Sequence, residues 1–246
     1  MEILKSSGIF NVMTRIDIIS GVPELLESPL SHSIVGRARE KDLIDIQIHD
    51  LRTYSSDKHR KIDDYPYGGG SGMVLTPQPI FDCIEKLTSE RAYDEIIFTA
   101  PDGDVYNQTH ANELSLSSNL IILCGHYKGV DQRVRDELIT REFSIGDYVL
   151  SGGEIPALAI IDSLVRLIPG AIGDAESALT DSFQNQLLSP PVYTRPAEFR
   201  GFLIPEVLTS GDHKRVREWN RRMAIQRTKE RRPDLYNRFT KDSKDQ

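Results

Sequence analysis

The chain has 246 residues, of which 39% are hydrophobic and 27% are charged, and its net charge is −7. This composition is that of a folded globular protein and excludes a disordered chain, and no apolar stretch has the length that a bilayer span requires. The two cysteines, Cys83 and Cys124, are far apart, which excludes a disulfide framework and a CxxC zinc site. Together with the absence of a secretory pattern in residues 1–12, these features predict a reduced, cytoplasmic protein with no membrane partner.

The charge is unevenly distributed along the chain. Residues 190–246 carry 14 Lys and Arg against 8 Asp and Glu, which leaves 16 against 29 for residues 1–189. A basic segment after an acidic one is typical of a polyanion-binding module joined to another domain. A solvated helix face would give the same count, so composition leaves both interpretations open.

Strand-like and helical stretches alternate in the first half, which predicts an α/β domain with a largely parallel sheet. Strands are expected at Arg15–Ser20, Asp45–Ile48, Glu95–Thr99 and Asn119–Cys124. A helix is expected through Leu26, Leu30 and Ile34.

A second helix is predicted over Glu154–Ile168, where apolar residues recur at helical spacing and Pro156 falls in the first turn. Gly170–Asn185 is small and polar and is interpreted as a linker. Asp212–Arg232 then predicts a basic helix that ends before Pro233.

Four glycine-bearing stretches are candidates for a binding or catalytic site. They are YGGGSGM at Tyr67–Met73, FTAPDG at Phe98–Gly103, CGHYKGVDQR at Cys124–Arg133 and SIGDYVLSGGEIP at Ser144–Pro156. Each alone is also explained as a turn, and the first lacks the lysine and hydroxyl of a P-loop. Three of them follow apolar strands, however, and such loops build a small-molecule pocket at the carboxyl edge of an α/β sheet.

The ordered series YGGGSGM, CGHYKGVD, SIGDYVLSGGE, LIPG, DSF and YTRP resembles the bacterial tRNA (guanine-N1)-methyltransferase family of the SPOUT class. The likeness covers nearly the whole chain from Met13 onward, so Met13 is either the initiator or follows a short extension. The resemblance implies a SPOUT-type parallel sheet with a deep trefoil knot at residues 1–172. It further implies an interdomain linker at 173–187 and a small, basic helical tRNA-binding domain at 188–246.

The resemblance also implies that S-adenosylmethionine lies bent in the knot and is held mainly by backbone groups. The residues that match this cofactor site are Thr99, Ala100, Pro101, Gly125, Tyr127, Ser144, Ile145, Gly146, Asp147, Tyr148, Val149, Leu150, Gly152, Gly153 and Pro156. The family functions as a homodimer with shared active sites, and the expected product is N1-methylated guanosine at tRNA position 37, immediately 3′ of the anticodon.

Two catalytic roles follow by similarity. Asp181 in the DSF motif would remove the N1 proton of guanine, and Arg166 would stabilise the negative charge that develops on O6. Arg195 in YTRP, with the arginines of the 212–232 helix, would contact tRNA phosphates. Some relatives are thought to use magnesium, but no residue of this sequence is assigned as a metal ligand.

One position departs from the family pattern. The second loop reads GHYKG, where members commonly carry arginine before the tyrosine and glutamate after it, so Lys128 reverses a charge and receives no catalytic role. Two other hypotheses are a SPOUT enzyme acting on ribosomal RNA or a ribose hydroxyl, and an RNA-binding module without catalysis. The DSF and YTRP motifs disfavour the first, and the presence of Asp181 and Arg166 disfavours the second.

Overall fold

A computed structural model describes residues 13–173 and 181–242. The chain divides into two compact units, Met1–Gly173 and Asp174–Gln246. Within the described residues no helix is both long and apolar enough to cross a membrane. Each unit is described by itself below.

The first unit is built on a five-stranded sheet whose strand order is β2-β1-β6-β5-β7, with every pairing parallel. Its strands are β1 Thr14–Ser20, β2 Ile44–Asp50, β5 Glu95–Val105, β6 Asn119–Cys124 and β7 Arg141–Ser144. A separate antiparallel pair is formed by β3 Asp63–Asp64 and β4 Val74–Leu75. The α/β class and the parallel sheet predicted from the sequence are therefore confirmed.

Helices cover both faces of this sheet. They are α1 Glu24–Leu30, α2 Ser33–Glu40, α3 Pro77–Glu90, α4 Gln108–Leu114, α5 Gln132–Leu138 and α6 Glu154–Val165, with a short 3-10 helix at Leu51–Tyr54. Because successive strand residues point to opposite faces, Ile16 and Ile18 of β1 pack in the core beneath α1, α2, α4 and α6. Ile19 packs in the second core, beneath α3 and α5. Both faces are thus buried, which explains the nearly continuous apolar runs of the central strands.

Three predicted elements differ from the structure. The single helix through Leu26, Leu30 and Ile34 is two helices, because the chain turns between them and Ser33 takes a left-handed φ of 57°. The segment after Thr99 is not a loop: β5 runs on to Val105 after an irregularity in its pairing with β7 between Thr99 and Asp104. Helix α6 ends at Val165 rather than Ile168, and the residues from 166 to 168 form tight turns directly after it.

Asp17, in the middle of β1, is a fully buried carboxylate that accepts hydrogen bonds from three side chains. Arg15 donates to it at 2.7 Å through both Nε and Nη2, His49 Nε2 lies at 2.6 Å, and the hydroxyl of Tyr93 donates at 2.7 Å. Burial alone would raise the pKa of this carboxyl, but the hydrogen bonds from His49, Arg15 and Tyr93 outweigh it. The pKa of Asp17 therefore lies well below its usual range.

We expect Asp17→Asn to lower the free energy of unfolding by about 3 kcal/mol at pH 7, because it leaves buried donors without their anion. The pKa of Asp17 is lower in the folded state than in the unfolded state. The carboxylate therefore contributes its full share of the free energy of unfolding above the unfolded-state pKa of about 3.9, and this share is lost as the pH falls through and below that value. Urea unfolding between pH 7 and pH 3 should show a steeper loss for the wild type than for the variant. The exposed control Asp64→Asn should unfold like the wild type at pH 7, and parallel curves for wild type and Asp17→Asn would contradict the assignment.

The second unit, within residues 181–242, contains a hairpin and two helices. Its elements are β8 Glu198–Phe199, β9 Phe202–Leu203, a 3-10 helix at Glu206–Thr209, α7 His213–Arg231 and α8 Pro233–Asp242. Asp212 caps α7 by accepting hydrogen bonds from the N–H groups of Lys214 and Arg215 at 3.0 and 3.1 Å. The basic helix predicted from the sequence is confirmed.

The segment predicted as a linker is folded in its second part, while residues 174–180 lie outside the described residues. The N–H of Leu188 donates to Thr228 Oγ1 at 2.9 Å, and Thr228 is completely buried in α7. The N–H of Phe183 donates to the carbonyl of Leu187 at 2.8 Å. These contacts fasten residues 181–189 to the second unit because a buried hydroxyl and buried backbone groups need partners.

Candidate active site

Three chain segments meet at the carboxyl edge of the sheet. They are the irregular part of β5 after Thr99 and the loops that follow Cys124 of β6 and Ser144 of β7, and parallel strands place these segments on the same edge. Ligands of open α/β sheets bind at this edge. Neighbouring strand ends therefore set the position of the candidate site.

These segments enclose one cavity. The residues that line it are Phe98, Thr99, Ala100, Pro101, Gly125, His126, Tyr127, Lys128, Gly129, Phe143, Ser144, Ile145, Gly146, Tyr148, Val149, Leu150, Ser151, Gly152, Gly153 and Pro156. The structure thus brings together all the residues matched to the cofactor site except Asp147, which is not part of the lining. Asp147 belongs to the same loop, between the lining residues Gly146 and Tyr148, and its cofactor contact stays a prediction.

Sequence reasoning missed part of this lining. Phe143 is a buried residue of β7, and its apolar character gave no sign that it borders a cavity. Phe98 begins the stretch FTAPDG, which the sequence already placed at the expected pocket. His126, Lys128, Gly129 and Ser151 lie within stretches already identified by their glycines. Nothing in their spacing separated the cavity wall from the rest of those loops.

The loops after β6 and β7 touch each other across the end of β5. The N–H of Gly153 donates to the carbonyl of Gly125 at 2.7 Å, and His126 and Gly152 form an antiparallel bridge. The hydroxyl of Thr99 donates to the carbonyls of Gly153 and Leu123 at 3.3 and 3.4 Å. Two chain segments that leave non-adjacent strands are therefore held together by backbone groups.

Gly153 is required by this close approach. A Cβ at this position would lie 2.1 Å from Thr99 Oγ1 and 2.7 Å from the backbone nitrogen of Gly125. Both distances are shorter than any real Cβ contact, and the nitrogen belongs to backbone that cannot rotate away. The glycine pair that sequence analysis could equally explain as a turn is here a packing requirement of the cavity wall.

A buried carboxylate fixes the start of α6. Glu154 is 1% exposed, and its Oε1 accepts a hydrogen bond at 2.7 Å from the hydroxyl of Ser20, the last residue of β1. A carboxylate in the first turn is also stabilised by the helix dipole. This contact joins β1, an interior strand of the sheet, to the helix that follows the last cavity loop.

The glycine-rich stretch Tyr67–Met73 packs against the cavity loop that follows β6. The N–H of Lys128 donates to the carbonyl of Met73 at 3.0 Å, and the Lys128 stem lies against Gly72. Gly68, Gly69, Gly70 and Gly72 all take positive φ values, which L side chains rarely adopt. The stretch is a tight turn, as the simpler interpretation had it, and it also positions Lys128 at the cavity.

Neither cysteine can serve as a nucleophile in this state. Cys83 and Cys124 are both buried free thiols, and burial raises the pKa of Cys83 to about 12 and that of Cys124 above its usual value. Among the described residues there is no group of three or more His, Cys, Asp or Glu side chains that would hold a metal ion.

The two residues expected to act on the base are not part of the cavity lining. Arg166 caps the carboxyl end of α6 and is half-buried, ten residues after Pro156. At 1.5 Å per residue, this separates the two by about 15 Å along the helix. Asp181 is half-buried in the second unit.

Comparison with known proteins agrees with the motif series. A sequence model of the family described as tRNA (Guanine-1)-methyltransferase TrmD matches residues 14–238. The tRNA (guanine-N(1)-)-methyltransferase of Azobacteroides pseudotrichonymphae is 58% identical over 221 residues, which cover 90% of this chain and 100% of that protein. The proteins of the same name from Flavobacterium psychrophilum and Chlorobaculum tepidum are 59% and 56% identical, again over 90% of this chain and over 98% and 96% of their own lengths.

Proposed function

This chain belongs to the tRNA (guanine-1)-methyltransferase family, and we propose on that premise that it transfers a methyl group from S-adenosylmethionine to N1 of guanosine 37 of tRNA. The observation that carries the proposal is the cavity at the carboxyl edge of β5, β6 and β7. Its walls are residues 99–101 of β5 and two glycine-bearing loops, which carry the family motifs CGHYKGVD and SIGDYVLSGGE in that order along the chain.

The composition of the cavity wall supports the proposed methyl donor. The Gly125 and Gly152–Gly153 loops line the cavity, and backbone N–H and C=O groups of such loops can hydrogen-bond an adenine edge. Phe98, Phe143 and Leu150 supply apolar surface for the adenine and ribose. These residues would bind and orient the donor, whose sulfonium supplies an activated methyl group.

The methyl transfer itself needs a base and an anion-stabilising group. The Asp181 carboxylate takes the N1 proton of guanine, and the N1 electron pair forms the bond to the methyl carbon while the carbon–sulfur bond breaks and its electrons remain on sulfur. The Arg166 guanidinium stabilises the charge that develops on O6. The guanine must leave the base stack to reach these groups.

A homodimer with shared sites is part of the proposal. Arg166 lies about 15 Å along α6 from Pro156, the lining residue on that helix, and is not itself part of the lining. In a symmetric dimer each cavity can receive Arg166 and Asp181 from the partner copy, because an isologous contact presents each surface to the other. The crossing of the β6 and β7 loops, bonded from Gly153 to Gly125, likewise supports the proposed trefoil knot.

Magnesium does not enter the proposed steps. The described residues offer no cluster that fits a metal, and Lys128 stands where relatives commonly carry glutamate, so no ligand is assigned. The basic second unit is the proposed tRNA-binding domain. The buried free thiols are consistent with the reducing cytoplasm as the compartment of the reaction.

The proposal is tested by transfer of labelled methyl from S-adenosylmethionine to unmodified tRNA transcripts, with matched transcripts in which guanosine 37 is replaced by adenosine. Label is expected only on the first set, and nuclease mapping should find it on N1 of that base. Label on a ribose hydroxyl or on ribosomal RNA alone would instead establish one of the rival SPOUT activities. Binding of S-adenosylmethionine without any transfer would favour a module that has lost catalysis.

A further inference from the structure

Two phenylalanines stand side by side on one face of the β8–β9 hairpin and are largely exposed. Phe199 pairs directly with Phe202, so the two side chains project to the same face. Their exposed fractions are 59% and 79%. Burying two aromatic rings would lower the free energy substantially, so rings that stay exposed to water indicate a surface that binds another molecule.

The turn presents this pair together with a cation. Arg200 and Gly201 both take positive φ, 55° and 82°, which makes a two-residue turn of type I′ directly between the two phenylalanines. The guanidinium carbon of Arg200 lies 5.2 Å from the ring centroid of Phe199. The hairpin tip therefore combines two aromatic faces with a positive charge.

The occupant of this patch is inferred from the charge of the segment to which the hairpin belongs. Residues 190–246 carry 14 Lys and Arg against 8 Asp and Glu, and α7 alone contributes many of the arginines. A polyanion is attracted to such a segment. Among polyanions, a nucleic acid with unstacked bases also has flat faces that match exposed phenylalanines.

We propose that Phe199 and Phe202 stack on unstacked bases of the tRNA substrate, with Arg200 beside them against the RNA backbone. The inference rests on the proposed function, because it names a substrate contact of the same enzyme. Stacking on an aromatic ring is possible for every base. The hairpin therefore contributes affinity for the tRNA and helps to position it, but does not contribute sequence specificity. Arginine contacts to the backbone make the complementary contribution.

The test measures tRNA binding by the full chain across a series of salt concentrations. Phe202→Ala should weaken binding about 10- to 100-fold at each salt concentration, with an unchanged slope against log salt, because no phosphate contact is lost. Phe202→Leu should lose a similar amount, since leucine is apolar but has no aromatic face, whereas Phe202→Trp should bind like the wild type. The matched control is Leu203→Ala, which is 73% exposed on the opposite face of the hairpin and should leave affinity unchanged.

Three results would overturn the inference. Wild-type tRNA affinity in Phe202→Ala would show that Phe202 does not contact the tRNA. Wild-type tRNA affinity in Phe202→Leu would show that the contact is not aromatic stacking. A shift in oligomeric state of Phe202→Ala, measured by sedimentation, assigns the face to a second copy of the chain. Methyl transfer by the wild type is measured in parallel: its absence refutes the proposed function, whereas normal transfer with unaffected Phe202→Ala binding refutes the stacking alone.

Discussion

Asp181→Asn is expected to lower kcat by about 10²- to 10⁴-fold, the usual contribution of a positioned general base. The N1 of guanine carries a proton at neutral pH, so methylation without a base would leave N1 with both a proton and a methyl group and a positive charge on the base. Asparagine keeps the size of the side chain but accepts no proton. Single-turnover methyl transfer at saturating tRNA measures the chemical step directly.

The affinity of Asp181→Asn for S-adenosylmethionine should equal that of the wild type, because Asp181 belongs to the second unit and does not line the cavity. The matched control is Glu206→Gln, which neutralises an exposed carboxylate of the same unit and should transfer methyl at the wild-type rate. Retained turnover in Asp181→Asn would refute the base assignment. A slow variant that also fails to bind tRNA would show that Asp181 positions the RNA instead.

Gly153→Ala is expected to weaken S-adenosylmethionine binding about 100-fold. The new Cβ would lie 2.1 Å from Thr99 Oγ1 and 2.7 Å from the Gly125 nitrogen, so the loop must move and its hydrogen bond to the Gly125 carbonyl is lost. Calorimetric titration measures the affinity, and thermal unfolding shows whether the variant remains folded.

Gly173→Ala is the control for this substitution, because a Cβ there meets no atom of the described residues within 4 Å. It should bind S-adenosylmethionine like the wild type. Unchanged affinity in Gly153→Ala would remove the Gly152–Gly153 loop from the binding site. Gly152→Val should also weaken binding, because a Cβ there would meet the buried Glu154 carboxylate and the His126 ring.

Combining Asp181→Asn with Gly152→Val in one dimer tests whether the site is shared between copies. If Asp181 acts on the cavity of the partner, a mixed dimer of Asp181→Asn and Gly152→Val contains one site with an intact cavity and an intact base. Co-expressed and randomly assorted chains should then recover about a quarter of wild-type transfer, although each variant alone is inactive or weak. No recovery in verified mixed dimers would place Asp181 at the cavity of its own chain.

Several features of this protein follow from the sequence without the structure. The apolar runs of β1 and β6 and the helical spacing after Glu154 are local patterns, so the strands and α6 could be predicted. The series of motifs identified the family, and this is confirmed by the match over residues 14–238. The lining of the cavity could be anticipated for the same reason: carboxyl ends of parallel strands share one edge, so loops that follow them converge. The catalytic roles of Asp181 and Arg166 stay predictions.

Other features depend on which strands become neighbours, and local patterns do not contain that information. Strand β5 lies between β6 and β7, and the loops of those two strands meet beside Thr99 of β5, which leaves no room for a Cβ at Gly153. The same order places Asp17 of β1 within reach of His49 and Tyr93, which are far away in sequence. A sequence shows which residues favour strands, helices and turns because those preferences act over a few residues. The tertiary structure decides close approaches and buried polar contacts, because each needs two segments that only the packed sheet brings together.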